Sequence, residues 1–137
     1  MRLVLDTNVI ISGVYFSGPP HDILDTWRRG KIELVVSAEI LDEYGRVGEQ
    51  LAKQFPGVQF ETFLELLTLR ARIVNAPPLK ENVCSDPDDD KFLACAIASG
   101  TRIICSGDKA LLKASGYKGI TVLNPKNFVV GHLKRKP

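Results

Sequence analysis

Four aspartates fall within five residues, Asp86, Asp88, Asp89 and Asp90, just ahead of the apolar run Phe92-Leu93-Ala94-Cys95-Ala96-Ile97. Two more acids sit close behind other apolar runs. Asp6 directly follows Leu3-Val4-Leu5, and Asp108 follows Ile103-Ile104-Cys105 after only Ser106-Gly107. Two carboxylates about 4 Å apart repel by roughly 1–4 kcal/mol, depending on the effective dielectric. Several such pairs would consume much of a domain's typical stability of about 5–15 kcal/mol. Acids gathered in one pocket must therefore protonate, spread apart or hold a cation. Carboxylate oxygens select hard ions, so Mg²⁺ or Mn²⁺ comes first. An EF-hand does not fit: counting from Asp86, the sixth position is Lys91 and the twelfth Ile97, where Gly and Glu are required. His21 follows Pro20 and His132 lies near the end, so neither is placed for general-base work.

The elements that must position these acids alternate. Arg2–Leu5 reads as a short buried strand, and Thr7–Val14 as a helix with Asp6 or Thr7 as N-cap. Ser17-Gly18-Pro19-Pro20 breaks the chain before a helix from about Pro20 to Arg29, stopped by Gly30. Ile32–Val36 is a strand, and Ser37 caps a long helix from Ala38 to about Phe55, ended by Pro56-Gly57. A helix over Glu61–Arg70 and a short strand over Arg72–Asn75 follow. A loop with Pro77, Pro78 and Pro87 leads to a helix over Asp89–Ser99. Arg102–Cys105 is a strand, Lys109–Ala114 a helix and Ile120–Leu123 a strand. Asn124-Pro125 opens a last helix to about Val130.

Strands alternating with helices predict an α/β three-layer α/β/α sandwich with a central, mostly parallel sheet. The strands are continuous in apolar character, as a sheet covered on both faces requires. In such sheets ligands bind beyond the carboxyl ends of the strands. Asp6 and Asp108 map to that edge, and Asp90 falls in the first turn of a helix that begins there. Glu43 lies about 40° outside Val47, on the shoulder of the stripe Ile40, Leu41, Tyr44, Val47, Leu51, and can reach inward. Gly45 and Gly48 weaken this helix by up to about 1 kcal/mol each relative to Ala. Each acid has a bland alternative. Asp6 and Asp108 could simply cap helices, Glu43 could be a surface residue, and the aspartates of the acid loop could simply oppose a helix dipole.

A chain of 137 residues suits one domain, expected over residues 1–130, with a basic tail over 131–137. The formal charge of +2 does not by itself announce a nucleic-acid binder. Cys84, Cys95 and Cys105 are odd in number and lack CxxC spacing, so reduced thiols in a cytoplasmic protein are expected. No apolar run reaches membrane-spanning length, and no signal peptide is read at the start.

The motifs LDTNVIIS, SAEILDEYGRV, DPDDDKFLACAIASG and IICSGDKALL resemble those of the PIN-domain family of metal-dependent nucleases. The resemblance covers nearly the whole chain and is nearest the branch of toxins from toxin–antitoxin pairs. It implies the same sandwich fold and Mg²⁺- or Mn²⁺-dependent endoribonuclease activity yielding a 5′-phosphate and a 3′-hydroxyl. Its four acids map to Asp6, Glu43, Asp90 and Asp108, the third being the aspartate directly before Lys91-Phe92-Leu93-Ala94. Asn8 and Ser106 map to supporting positions, and Asp86 and Asp89 are rival ligands. Lys91, Lys109 and Lys113 are candidate RNA contacts, with Lys134, Arg135 and Lys136 as weaker ones. A small antitoxin and a homodimer are the implied partners. An inactive PIN-like binding module is the alternative. A phosphatase using Asp6 as nucleophile fits less well, because the haloacid-dehalogenase pattern needs an Asp where this chain has Asn8.

Overall fold

The computed structural model describes residues 1–133, so the basic tail contacts expected of Lys134, Arg135 and Lys136 lie outside the described residues. Five strands form one parallel sheet: β1 (Arg2–Leu5), β2 (Glu33–Val36), β3 (Arg72–Ile73), β4 (Ile103–Cys105) and β5 (Thr121–Leu123), in the order β3-β2-β1-β4-β5. Seven α-helices flank it: α1 (Thr7–Tyr15), α2 (Pro19–Arg28), α3 (Ala38–Ala52), α4 (Phe60–Arg70), α5 (Asp90–Ser99), α6 (Lys109–Lys113) and α7 (Pro125–Phe128). This is the expected three-layer sandwich. A π-helical turn, Val129–Leu133, prolongs α7.

The central strand is β1, with β2 in register on one side (Leu3 opposite Leu34) and β4 on the other (Leu5 opposite Cys105). Leu3, Val4 and Leu5 are fully buried because helices cover both faces, which is why the strand reads as a continuous apolar run. The chain runs outward from β1 to β2 and β3, then returns to build β4 and β5 on the other side. The order therefore reverses between β1 and β4, and a crevice opens beyond their carboxyl ends. The Asp6 amide donates to the Cys105 carbonyl at 3.0 Å and ties the two strand ends together.

Two glycines allow close packing. At Gly13 an added Cβ would stand 2.6 Å from Leu24 Cδ1, so α1 and α2 meet there. At Gly48 it would stand 2.1 Å from the Phe60 ring, which lies directly on the α3 backbone. Gly48 is thus the seat of the α3–α4 contact as well as a weak point in helix propensity. Helix α3 ends at Ala52 rather than near Phe55, with Phe55 instead beside the rings of Tyr15 and Phe16. Helix α5 begins one residue later than expected, because Pro87–Asp89 form a 3-10 turn whose Asp86 cap accepts from the Asp88 amide at 3.0 Å. Cys84, Cys95 and Cys105 are buried free thiols, and burial pushes each up to about 12. Among the described residues no helix is long and apolar enough to cross a membrane.

Candidate active site

Asp6 closes β1 and occupies the N-cap position of α1, yet its side chain makes no capping bond. It turns into the crevice and is buried, at 5% exposure. The Ser106 hydroxyl, fully buried, donates to Asp6 Oδ2 at 2.6 Å and accepts from the Asp108 amide at 2.9 Å. One serine therefore sets the spacing between two acids that stand about a hundred residues apart in the chain. Burial raises the Asp6 carboxyl above its usual range against the Ser106 and Thr7 amide hydrogen bonds, and the charges of Asp108 and Glu43 raise it further.

Asp108 caps α6, its Oδ2 accepting from the Leu111 amide at 3.2 Å. It also faces Asp89. Burial, a hydrogen bond with Asp108 and the charges of Asp108, Asp6 and Asp86 push Asp89 up to about 8. Asp89 is left free to do this because it sits at the N-cap of α5 without capping it. Asp6, Asp89 and Asp108 thus converge on one crevice, and they relieve their repulsion by protonation.

Glu43 projects from α3 to the same crevice, as its shoulder position requires, with its side chain 13% exposed. Its Oε2 accepts from the Thr7 hydroxyl and its Oε1 from the Lys91 ammonium at 2.5 Å. Below it, the buried Tyr44 hydroxyl donates to the Leu5 carbonyl at 2.5 Å, anchoring α3 to the end of β1.

Asp90 faces elsewhere. Its Oδ2 accepts from the Val83 amide at 3.0 Å and its Oδ1 from the Cys84 amide at 2.8 Å, so both oxygens fasten the acid loop to α5. Its side borders a separate cleft of about 430 Å³, lined by Glu39, Asp42, Arg46, Asn82, Asp88 and other residues of α3, α5 and the loop. The expected assignment of Asp90 as the third crevice acid differs from this geometry, in which Asp89 holds that place. Asp86 caps the 3-10 turn, and Asp88 is largely exposed and pairs with Lys91 at 3.1 Å. Asn8 is exposed, and the partners of Asp6 are Ser106 and the Thr7 amide instead. Lys109 and Lys113 are exposed on α6 beside Asp108, whereas Lys91 is turned inward.

Sequence reasoning passed over Thr7. The signal available was its place between Asp6 and Asn8, but its partner lies 36 positions away. Lys91 was noted as a contact for nucleic acid, while its role as the partner of Glu43 was not.

Among the described residues no three His, Cys, Asp or Glu side chains stand in ready-made metal-binding geometry. The donor chemistry nevertheless fits a hard divalent cation. Asp6, Asp89 and Asp108 offer only oxygens, all are raised or neighbour a raised group, and a cation would remove the repulsion that their protonation now relieves.

A family model described as PIN domain matches residues 2–110. The uncharacterized protein MJ1680 of Methanocaldococcus jannaschii is 34% identical over 141 residues, covering 94% of this chain and 90% of the relative. The crystal structure of PAE2754 from Pyrobaculum aerophilum is similar with a TM-score of 0.58 at 17% identity, over 96% of this chain and 97% of that one. FitAcB from Neisseria gonorrhoeae gives a TM-score of 0.51 at 18% identity, over 90% of this chain and 98% of the other. At such low identity these two likenesses speak for the fold. The family match runs through four of the five strands and spans the crevice from Asp6 to Asp108, and on that ground the chain belongs to the PIN domain family.

Proposed function

We propose that this chain is a divalent-cation-dependent endoribonuclease acting in the cytoplasm, with Asp6, Asp89 and Asp108 as the residues that hold the ion. PIN domains are generally nucleases, and the observation that carries the reading here is the convergence of these three acids at the β1/β4 crevice, two of them raised by burial and by each other. The chemistry such an ion supplies is polarisation of the scissile phosphate and acidification of water. Ser106 fixes the distance between Asp6 and the Asp108 backbone, so the donors are set before substrate arrives. Glu43, oriented by Thr7 and Lys91, is placed to hold the attacking water against the phosphate. An acidic crevice repels a polyanion, so Lys109 and Lys113 on the rim supply the attraction and binding weakens with salt.

The partner this reading expects is a small antitoxin that offers an arginine fork to the crevice carboxylates, and the expected assembly is a homodimer. Absence of a small reading frame beside this gene would count against the first, and a monomer in sedimentation against the second. The nuclease reading is tested with purified protein, a mixed RNA pool, and either Mn²⁺ or EDTA. Cleavage is expected in Mn²⁺ and lost in EDTA and in Asp6→Asn. Cleavage that persists in EDTA, or none in Mn²⁺, overturns it. Mn²⁺ at about ten times its Kd should also stabilise the fold by roughly 1.4 kcal/mol.

A further inference from the structure

Lys91 opens α5 at the place where a residue in contact with RNA was expected, yet its side chain is only 16% exposed. Its ammonium stands 2.5 Å from Glu43 Oε1 and 3.1 Å from Asp88 Oδ1. The Thr7 hydroxyl takes the other oxygen of Glu43. Glu43 is therefore fully engaged, on one side by a positive charge that the chain itself provides. The opposite side of the crevice differs. Among the described residues no Lys, Arg or His forms an ion pair with Asp6, Asp89 or Asp108. The same crevice thus has one half with a built-in cation and one half without.

We propose that Lys91 takes the place of a second metal ion, so that the crevice accepts a single divalent cation on Asp6, Asp89 and Asp108. The proposal rests on the metal-dependent reading above and adds to it the number of ions and the residue that sets it. A second ion could reach Glu43 only by displacing the ammonium. That ammonium cannot diffuse away, because its stem leaves the first turn of α5 and Asp88, three residues earlier, holds it from the other side. Lys91 also keeps Glu43 ionised and aimed into the crevice, which makes it a positioning residue for that carboxylate. Lysine suits the role as a compact point charge on a flexible stem.

The test counts ions. Wild-type protein titrated with Mn²⁺ by calorimetry should take one ion per chain, and its electron paramagnetic resonance spectrum should be that of an isolated, uncoupled Mn²⁺. Lys91→Met keeps the length of the side chain and removes its charge, and should admit a second Mn²⁺. Lys91→Arg keeps the charge and should remain at one. Two ions on wild type, or one on a folded Lys91→Met, overturns the proposal. Where Lys91→Met does not fold, the wild-type spectrum still decides, since a coupled pair at saturating Mn²⁺ refutes the role of Lys91. Two ions on wild type with RNA cleavage intact removes only this inference, whereas no Mn²⁺ binding and no cleavage removes the nuclease reading with it.

Discussion

Asp89 and Asp90 are neighbours in the chain and strangers in the fold. Asp89 turns into the crevice beyond β1 and β4, where burial and the carboxylates of Asp108 and Asp6 push it up to about 8. Asp90 turns the other way, into the cleft between α3, α5 and the acid loop, where the Val83 and Cys84 amides occupy both its oxygens. One acid meets other acids and the other meets backbone donors. The first arrangement asks for a cation, and the second is complete as it stands. Burial and charge density alone do not mark a catalytic acid; what matters is whether the neighbours satisfy it.

The comparison predicts opposite phenotypes for the same substitution. Asp89→Asn should lower Mn²⁺-dependent RNA cleavage by about a hundredfold, equivalent to about 3 kcal/mol of barrier, with the fold intact by circular dichroism. Asp90→Asn should leave cleavage within about tenfold of wild type. It should cost about 1.5–3 kcal/mol of stability in urea unfolding, through the loss of a charge-assisted amide bond. Equal loss of cleavage in both variants would erase the distinction drawn here.

Ser106→Ala tests the crevice from below. It removes the donor to Asp6 and the acceptor for the Asp108 amide together. Metal affinity by calorimetry should fall about tenfold, the lower end for groups that orient ligands. The Asp6 carboxyl should rise further, because the Ser106 bond is one of the influences that lower it.

Another close pair sharpens the same lesson on α3. An added Cβ at Gly48 meets the Phe60 ring at 2.1 Å, while at Gly45 the nearest atom is Leu64 Cδ2 at 3.5 Å. Gly48→Ala should therefore destabilise by about 1–3 kcal/mol through overpacking. Gly45→Ala should stabilise by up to about 1 kcal/mol through helix propensity. Chemical denaturation of the two variants side by side measures the difference.

The smallest expected effect is on pH. With divalent ions chelated, Asp89 keeps its proton in the folded chain up to about pH 8, whereas an unfolded Asp loses it near pH 4. The folded state binds more protons between those values, so stability should fall as pH rises through that window and level off above it. Asp89→Asn should flatten the slope, and saturating Mn²⁺ should reverse its sign at the lower end, where the ion must displace the proton. Thermal melts across pH measure it.

The alternation of strands and helices was legible because each strand is a short apolar run with a break on either side, and every expected strand is present within a residue or two. Asp6 and Asp108 were legible for the same local reason: each lies within three residues of a buried strand's carboxyl end, which fixes the edge of the sheet it occupies. The shoulder position of Glu43 followed from helical periodicity. The third acid did not follow. The 3-10 turn at Pro87–Asp89 shifts the start of α5 by one residue, and one residue turns a side chain by about 100°.

The sequence by itself determined the sheet, its parallel sense and the edge where the acids gather, since these depend on apolar periodicity and on residues adjacent in the chain. Only the tertiary structure decided which acids face one another and which are already satisfied. Glu43 finds Thr7 and Lys91 at separations of 36 and 48 residues, and Asp6 finds Ser106 at 100. Such partnerships arise from where the crossovers deliver each strand end, and no local pattern encodes them.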